Sequence, residues 1–354
     1  MEELRFGALR VRGWSRGCDI CWRGGKLVLF VTGACPMYGE CAYCTISSWR
    51  RRDIVMADEV LVEGEEDLLR EARAIDAEGA GVTGGEPTLV PERVARFVSV
   101  LKEWRSDFHV HVYTNGWRLD EEVAALWSEA GVDEVRLHSW DREVWERLRI
   151  VLDHGMEAGA EMPAIPGREE RLKELAERLD SMGAGFINLN ELEFSEANRE
   201  TLLAMGFRPR EDSEVAVCGS RETAAAVLEF VERETGIMGY FCPAEQKEYQ
   251  MWMRWRRRAP NVAEPYEEPT EDGTLIFGRI RGPRSSLEEL AEELAASGVP
   301  LRLEDGELLV PPEVLLEIIG EFAELEAELV EVAPTDDRKE LSVYPTDFLR
   351  RFRG

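Results

Sequence analysis

The 354-residue sequence has no uninterrupted apolar run near the roughly 20 residues that a membrane span needs. Its first residues, Met1–Arg5, lack the apolar stretch of a secretory signal, so we expect a cytoplasmic chain with no membrane partner. Positive charge is also scarce: 43 Lys and Arg face 71 Asp and Glu, and the net charge of −28 argues against bulk nucleic-acid binding. Apolar residues are plentiful at 44%, which indicates a folded chain.

The cysteines point to metal ligation. A chain of 354 residues has no need of disulfides to stabilise it, yet five of its seven cysteines fall within 27 residues. In a reducing compartment such clustering is typical of metal ligands. The seven are Cys18, Cys21, Cys35, Cys41, Cys44, Cys218 and Cys242.

The first two thirds of the chain alternate short apolar runs with amphipathic stretches, which predicts a parallel sheet with crossover helices. The predicted strands are Leu27–Thr32, Ala80–Thr83, His109–Tyr113, Glu134–His138, Glu161–Ile165 and Phe186–Leu189. The predicted helices are Glu65–Glu78, Pro91–Trp104, Glu121–Ala130, Arg142–His154 and Glu169–Met182. Six repeats fall short of the usual eight, so we expect an α/β fold built on a partial (β/α)6 barrel.

The last third has a different pattern. We expect four segments: an N-terminal Cys-x2-Cys segment (1–25), the barrel (26–210), a cysteine-containing extension (211–262) and a C-terminal α+β domain (263–354). The last one has the order βαββαβ of a ferredoxin-like sandwich. Its predicted elements are strand Leu275–Ile280, helix Ser286–Ser297, hairpin Leu301–Arg302 with Glu307–Val310, helix Pro312–Glu328 and strand Leu329–Val332.

Three cysteines follow the first barrel strand on a loop rich in Gly and Pro. The spacing is Cys35-x5-Cys41-x2-Cys44, at the strand end where barrels of this kind carry their chemistry. Three thiolates can hold three irons of a [4Fe–4S] cluster and leave the fourth iron open to substrate. Taken alone, the run is equally compatible with a zinc site or a structural cluster.

A second motif ends the next strand, Gly84-Gly85-Glu86-Pro87. Adjacent glycines would let a ligand lie against the backbone, and the following carboxylate could take an ammonium group, so a free α-amino acid fits here. A plain strand-to-helix turn is the alternative for the tetrapeptide alone. Its position one strand after the cysteine triplet favours the ligand site.

Together these motifs resemble the radical S-adenosylmethionine (SAM) superfamily. The resemblance rests on the cysteine triplet with Tyr43 before its last member, on the Gly84–Pro87 motif, and on Thr114-Asn115-Gly116 after the third strand. The stretches 17–21 and 26–33 are similar to archaeal and bacterial proteins related to the pyruvate formate-lyase activating enzyme. The family has three residues between its first two cysteines where this chain has five, and we expect the insertion to bulge outward.

The resemblance implies a [4Fe–4S] cluster on Cys35, Cys41 and Cys44, with SAM as the second cofactor. SAM would be cleaved reductively to a 5′-deoxyadenosyl radical that abstracts hydrogen from an unidentified substrate. We expect Gly84, Gly85, Glu86 and Pro87 to hold the methionine end of SAM, Tyr43 to stack near the adenine, and Thr114 or Asn115 to reach the ribose. His138 is expected to line the cavity, either as a hydrogen-bonded histidine or in contact with SAM.

Four cysteines remain, which is the number that a closed [4Fe–4S] or zinc site requires. Cys18 and Cys21 form a half-site, and Cys218 and Cys242 lie far along the chain. An auxiliary cluster on these four cysteines is our first interpretation, and a structural zinc site is the second. Unrelated free thiols are the remaining alternative. A strand of about six residues at roughly 3.3 Å each separates Cys21 from Cys35, so we expect this second site at the far end of the barrel, away from substrate.

Two further patterns favour structural roles. His109 and His111 share one face of a strand with a spacing typical of metal ligands, but no third ligand is apparent in the sequence. The stretch Met251–Arg258 is rich in Trp and Arg, and we interpret it as a helix with Arg in surface ion pairs, with RNA binding as the alternative.

The sequence thus predicts a radical SAM enzyme. Its partners would be a reductant such as ferredoxin or flavodoxin and an unidentified substrate, which could be a small molecule, a protein or RNA. One alternative is an activase that generates a glycyl radical on a partner protein. Another, from a different class, is a non-catalytic iron–sulfur electron carrier or scaffold, for which the Gly84–Pro87 motif would have no purpose.

Overall fold

The computed structural model describes residues 1–318, 325–345 and 348. The chain divides into two compact units, the first formed by 1–72 and 77–250, the second by 73–76 and the described residues from 251 onward. The predicted extension 211–262 is therefore divided between the two units. Of the helices within the described ranges, none is both long and apolar enough to cross a membrane.

The first unit is built on one eleven-stranded sheet. Its strand order is β1-β2-β11-β10-β9-β8-β7-β6-β3-β4-β5. The strands are β1 (Glu2–Glu3), β2 (Leu9–Val11), β3 (Lys26–Phe30), β4 (Met56–Ala57), β5 (Val60–Leu61), β6 (Gly79–Thr83), β7 (His109–Thr114), β8 (Glu134–Leu137), β9 (Glu157–Ala164), β10 (Phe186–Glu191) and β11 (Met238–Cys242).

The six predicted strands correspond to β3 and β6–β10, which pair in parallel in chain order. The prediction of six is too low, because β11 adds a seventh parallel strand beside β10. Antiparallel strands flank this parallel set: β2 pairs with β11 at one side, and β4 pairs with β3 at the other. Strand β9 also begins four residues earlier than predicted, at Glu157.

Helices connect the parallel strands. Three have the predicted bounds, whereas the predicted helix 142–154 is broken into two short helices by a turn at residues 146–147. The helices are α1 (Arg16–Trp22), α2 (Glu65–Ala74), α3 (Pro91–Trp104), α4 (Glu121–Ala130), α5 (Arg142–Trp145), α6 (Leu148–Asp153), α7 (Glu169–Met182), α8 (Arg199–Ala204), α9 (Ser220–Glu234) and α10 (Ala244–Val262).

Local signals explain the well-predicted helices. Pro91 opens α3, and the Asp120 carboxylate accepts a hydrogen bond from the Val123 amide at the start of α4. Gly131 and Gly183 end α4 and α7 with φ of 97° and 82°, a left-handed conformation that favours glycine.

One face of the sheet carries polar side chains, and helix α1 lies against this face. A Cβ on Gly17 of α1 would come within 2.8 Å of the side chains of both His111 and Arg136, and one on Gly79 would contact Ile20 of α1. Because Gly17 has no side chain, the helix packs directly on the polar face. Helix α1 therefore turns back under the strands that follow it in the chain.

The second unit has one sheet of order β14-β15-β13-β16-β17, with β12 paired to β13. The predicted helix 312–328 is too long. Helix α12 (Pro312–Ile318) is described to residue 318, residues 319–324 lie outside the described ranges, and strand β16 (Glu326–Val332) begins at Glu326. Strand β17 was not predicted. The elements are β12 (Glu268–Pro269), β13 (Leu275–Arg281), α11 (Arg284–Ala296), β14 (Arg302–Glu304), β15 (Glu307–Val310), α12 (Pro312–Ile318), β16 (Glu326–Val332) and β17 (Glu340–Pro345).

The Trp/Arg stretch is helical, as interpreted, and belongs to α10. Its arginines are paired with acidic or carbonyl oxygens of the second unit: Arg257 with Asp76 and Arg258 with Asp336. Trp252 and Trp255 pack edge to face with ring centroids 5.3 Å apart. The basic side chains named here are thus engaged within the protein.

Candidate active site

The loop after β3 brings Cys35, Cys41 and Cys44 to one cavity of about 510 Å³. The three thiols are partly exposed and form no disulfide. The Met37 amide lies 3.4 Å from Cys35 Sγ, and the Cys44 amide donates to the Cys41 carbonyl at 3.0 Å. Burial raises the pKa of the Cys35 thiol to about 11 and also raises the pKa of Cys41. Within the described chain no other cysteine lines this cavity.

The Gly84-Gly85 pair is fastened to the start of the cysteine loop. The Gly85 amide donates to the Thr32 carbonyl at 2.7 Å, and the Glu86 amide donates to the Ala34 carbonyl at 2.8 Å. A Cβ on Gly84 would lie 2.4 Å from the Thr32 oxygen, and one on Gly85 would lie 2.1 Å from the Ala34 oxygen. Both glycines line the cavity. The close approach of the two backbones explains why neither position can carry a side chain.

The carboxylate of Glu86 is expected to take an ammonium group, but in the structure it is hydrogen-bonded to the protein itself. The side chain is fully buried, and its carboxylate accepts four hydrogen bonds from the protein. The donors are the amide and hydroxyl of Thr88, the hydroxyl of Thr114 and the amide of Asn115. Burial raises the pKa of Glu86, and these four bonds oppose that rise. Glu86 therefore ties the end of β6 to the end of β7, and neither it nor Pro87 lines the cavity.

The other predicted cofactor residues do line the cavity. Tyr43 and His138 pack with ring centroids 5.3 Å apart, and burial lowers the pKa of His138. Asn115 Nδ2 lies 3.8 Å from Cys35 Sγ, so this side chain is directed towards the cysteine loop. Thr114 lines the cavity as well, but its hydroxyl donates to Glu86 and accepts from the Gly116 amide. The other residue predicted to reach the ribose, Asn115, accepts a hydrogen bond from the Trp117 amide at 2.9 Å through its side-chain oxygen.

Sequence reasoning missed a group of charged and polar residues on the cavity wall. They are Lys26, Glu161, Asn190 and Lys247. The signal was available, because a lone polar residue in an apolar strand, such as Lys26 in Lys-Leu-Val-Leu-Phe, faces the opposite side from its neighbours. Across the part of the chain that the structure describes, the Lys26 ammonium makes no hydrogen bond or ion pair.

A second cavity, of about 150 Å³, is lined by Cys18, Cys21 and Cys242. Burial raises the pKa of Cys18 to about 11 and that of Cys242 to about 12. Asn188 Nδ2 and Arg136 Nη1 lie 3.3 Å and 3.5 Å from Cys18 Sγ. These two groups place hydrogen-bond donors beside the Cys18 thiol.

Cys218 does not join them. It is exposed, precedes α9 and is absent from the lining of this cavity. The expected set of four is therefore wrong in this member: the sequence could count four remaining cysteines, but it could not show which of them the fold unites.

The two cavities adjoin each other. They share five lining residues: Lys26, Tyr113, Glu161, Asn190 and Lys247. The second cavity therefore adjoins the first at this wall, whereas no thiol of one cavity lines the other; the expectation that the second site lies away from substrate stays a prediction. Glu161 is central to the shared wall: it accepts from Arg136 at 2.7 Å and from Asn190 at 3.0 Å.

Comparison with known proteins identifies the family. Residues 29–151 match the radical SAM superfamily. Over 349 residues the chain is 37% identical to a protein of Methanocaldococcus jannaschii named "Putative glycyl-radical enzyme activating enzyme MJ0021", covering 93% of this chain and 92% of the relative. The chain belongs to the radical SAM superfamily. The resemblance drawn from its motifs is thereby confirmed, and the protein is a radical SAM enzyme whose substrate is unidentified.

Solved structures of lower similarity were also found. SuiB of Streptococcus suis bound to S-adenosylmethionine is 12% identical with a TM-score of 0.43, covering 62% of this chain and 50% of SuiB. The radical S-adenosylmethionine methyltransferase TsrM of Kitasatospora setae is 13% identical with a TM-score of 0.36, covering 73% of this chain and 56% of TsrM. The chain spans about half the length of these two proteins.

Proposed function

We propose that Cys35, Cys41 and Cys44 hold the [4Fe–4S] cluster that the family requires. The observation that carries this proposal is that the three thiols share one cavity wall, with room beside them for a second group. A site of three thiolates leaves one iron open, which suits the amino-acid end of SAM. When bound, the reduced cluster supplies the electron that cleaves SAM.

The protein's own part is to position SAM and to exclude water. Gly84 and Gly85 present backbone at the cavity wall, held against the cysteine loop by the hydrogen bonds to Thr32 and Ala34. Tyr43 and His138 form an aromatic pair suited to the adenine, and Asn115 is suited to the ribose. Glu86 and Pro87 act indirectly, by fixing the ends of β6 and β7.

The test is formation of 5′-deoxyadenosine from SAM by the reconstituted, reduced protein. We expect Cys41→Ala to lose this product and the iron and [4Fe–4S] signals of the first site, whereas a cluster in the second cavity would keep its own signals. Cys218→Ala, which changes an exposed cysteine outside both cavities, is the matched control. An iron content, cluster signals and SAM cleavage that are all unchanged in Cys41→Ala would remove Cys41 from the site.

The second cavity supports an auxiliary [4Fe–4S] cluster on Cys18, Cys21 and Cys242, with zinc as the alternative. Two buried thiols and one partly exposed thiol converge there, and Arg136 and Asn188 can donate hydrogen bonds to sulfur. Two clusters require about eight iron atoms per chain. Iron and sulfide analysis decides: about four iron atoms with one zinc would contradict the auxiliary cluster.

A more specific function is favoured by the relative from M. jannaschii, whose name describes activation of a glycyl-radical enzyme. In that case the substrate is a partner protein, and ferredoxin or flavodoxin is the reductant. Incubation with SAM, a reductant and a candidate glycyl-radical enzyme should give a glycyl radical signal on the partner. Production of 5′-deoxyadenosine without that signal would retain the radical SAM activity and reject this substrate class.

Finer features of the fold follow from the strand order. The first unit fits a partial barrel, since seven parallel strands with crossover helices follow each other in chain order. The second unit fits a ferredoxin-like sandwich, because its order β14-β15-β13-β16 interleaves the strands of two βαβ halves. We keep 1–25, 26–210, 211–262 and 263–354 as proposed functional segments. The free thiols support a reducing cytoplasm as the location.

A further inference from the structure

Three polar atoms deep in the first unit have no hydrogen-bond partner. They are Nε2 of His109, Nδ1 of His111 and one carboxylate oxygen, Oε2, of Glu134. The three residues are 2%, 1% and 0% exposed. Buried polar atoms are nearly always paired, so three such atoms in one place require an explanation.

The three residues converge on a common point. Each can direct one ligand atom so that all three atoms lie within 4.8 Å of one another. His109 Nε2 is 3.6 Å from Glu134 Oε2, close to the separation of about 3.3 Å that two ligands at about 2.0–2.1 Å have in a tetrahedral zinc site. The two histidines lie two residues apart on β7, and the strand register pairs His111 with Glu134 on β8. Glu134 is the third ligand that the sequence alone did not reveal.

The second polar atom of each of the three side chains contacts another residue of the protein, as the ligands of known metal sites do. His111 Nε2 lies 3.2 Å from the Tyr113 hydroxyl, and His109 Nδ1 lies 3.7 Å from an Asp133 carboxylate oxygen. The second Glu134 oxygen, Oε1, accepts a hydrogen bond from Arg136 Nε. The hydrogen bonds of His111 and Glu134 orient these two side chains, and the unpartnered Nε2 of His109 faces the unpartnered Oε2 of Glu134 at 3.6 Å.

Enclosure and charge are compatible with an ion. A Cβ on Gly17 would lie 2.6 Å from His111 Nδ1 and 2.4 Å from Arg136 Nη2, so helix α1 covers this side of His111 closely and only a glycine fits there. The cation nearest to the carboxylate, Arg136, is also ion-paired to Glu161. Part of its charge is therefore balanced on the side away from Glu134.

We propose that His109, His111 and Glu134 bind a zinc ion, separate from the thiolate sites. Imidazole and carboxylate ligands suit zinc, and a water molecule would complete a tetrahedron. The ion would join β7 to β8 directly below helix α1, which carries Cys18 and Cys21. Its role is structural, because the ligands are fully enclosed and do not line either cavity.

The experiment uses the full chain reconstituted with iron and sulfide, so that the cysteines are occupied, then given one equivalent of zinc and dialysed against a weak chelator. X-ray absorption at the zinc edge should show only nitrogen and oxygen neighbours at about 2.0–2.1 Å. Sulfur neighbours at about 2.3 Å would place the zinc on the cysteines and overturn the proposal, as would zinc that is not retained. This measurement on the wild type does not depend on the folding of any variant.

Substituted variants provide a second test of the zinc site. His111→Gln should lower zinc affinity by about tenfold or more, measured by competition with the chelator. His154→Gln is the matched control, because His154 is a partly exposed histidine that pairs with Glu121 on the surface. Cys18→Ser should retain zinc. If Cys18→Ser loses zinc and His111→Gln retains it, the ion belongs to the thiolate cavity and the proposal is wrong.

Discussion

Substitution of Gly85 by alanine tests the argument that the glycine pair positions the cysteine loop. The added Cβ would lie 2.1 Å from the Ala34 carbonyl oxygen, whereas real Cβ atoms essentially never come within 3.0 Å of such an atom. The two backbones must therefore separate by about 0.9 Å. Since Ala34 is bonded directly to Cys35, the displacement passes to a proposed cluster ligand. Metal–ligand distances tolerate only about 0.2 Å, so this movement exceeds what the site can absorb.

We expect Gly85→Ala to lose about 1–3 kcal/mol in the free energy of unfolding, the usual cost of overpacking. We also expect most of the iron bound at the first site to be lost after reconstitution. The measurements are denaturant unfolding and iron analysis with electron paramagnetic resonance. Gly64→Ala is the matched control, because nothing lies within 4 Å of the Cβ it would add. Wild-type iron content and SAM cleavage in Gly85→Ala would refute the idea that backbone contact explains this glycine.

Other substitutions test other parts of the site. Glu86→Gln should lower the free energy of unfolding by about 1–3 kcal/mol, since one buried donor loses its acceptor; denaturant unfolding measures this. The pKa of His138 lies below 6.5 in the folded protein because the ring is buried, so the unfolded chain binds more protons between the two values. Stability should therefore rise with pH up to about 6.5, and His138→Gln should lose that slope in unfolding curves recorded across pH. Cys242→Ser should lower the iron content of the second site and Cys218→Ser should not; equal losses would contradict the assignment.

The helices show which parts of the fold can be predicted locally. The ends of α3, α4 and α7 are marked by a proline, an aspartate cap and two glycines, and these signals need no knowledge of the rest of the chain. Strand β11 was missed because its five residues, Met-Gly-Tyr-Phe-Cys, are few and lack a clear alternation of polar and apolar residues. Its place is fixed by pairing with β10 on one side and with the distant β2 on the other.

The candidate site also has one part that local sequence signals predict and another part that they do not. The spacing of Cys35, Cys41 and Cys44 predicted a common site, and the structure brings all three to one cavity. The role of Glu86 could not be predicted, because its partner Thr114 lies 28 residues away and meets it only when β6 and β7 pair. A motif gives residue types, whereas the direction of a side chain depends on the elements around it.

The pairing of β2 with β11 has a consequence for biosynthesis. Val11 lies opposite Gly239, about 230 residues later in the chain, so β2 cannot join the parallel strands until most of the protein has left the ribosome. Cys18 and Cys21 emerge first but gain their cavity partner Cys242 last. We therefore expect the cell to complete the second thiolate pocket after translation of the first unit, and insertion of the proposed auxiliary cluster to be a late event in the maturation of the enzyme.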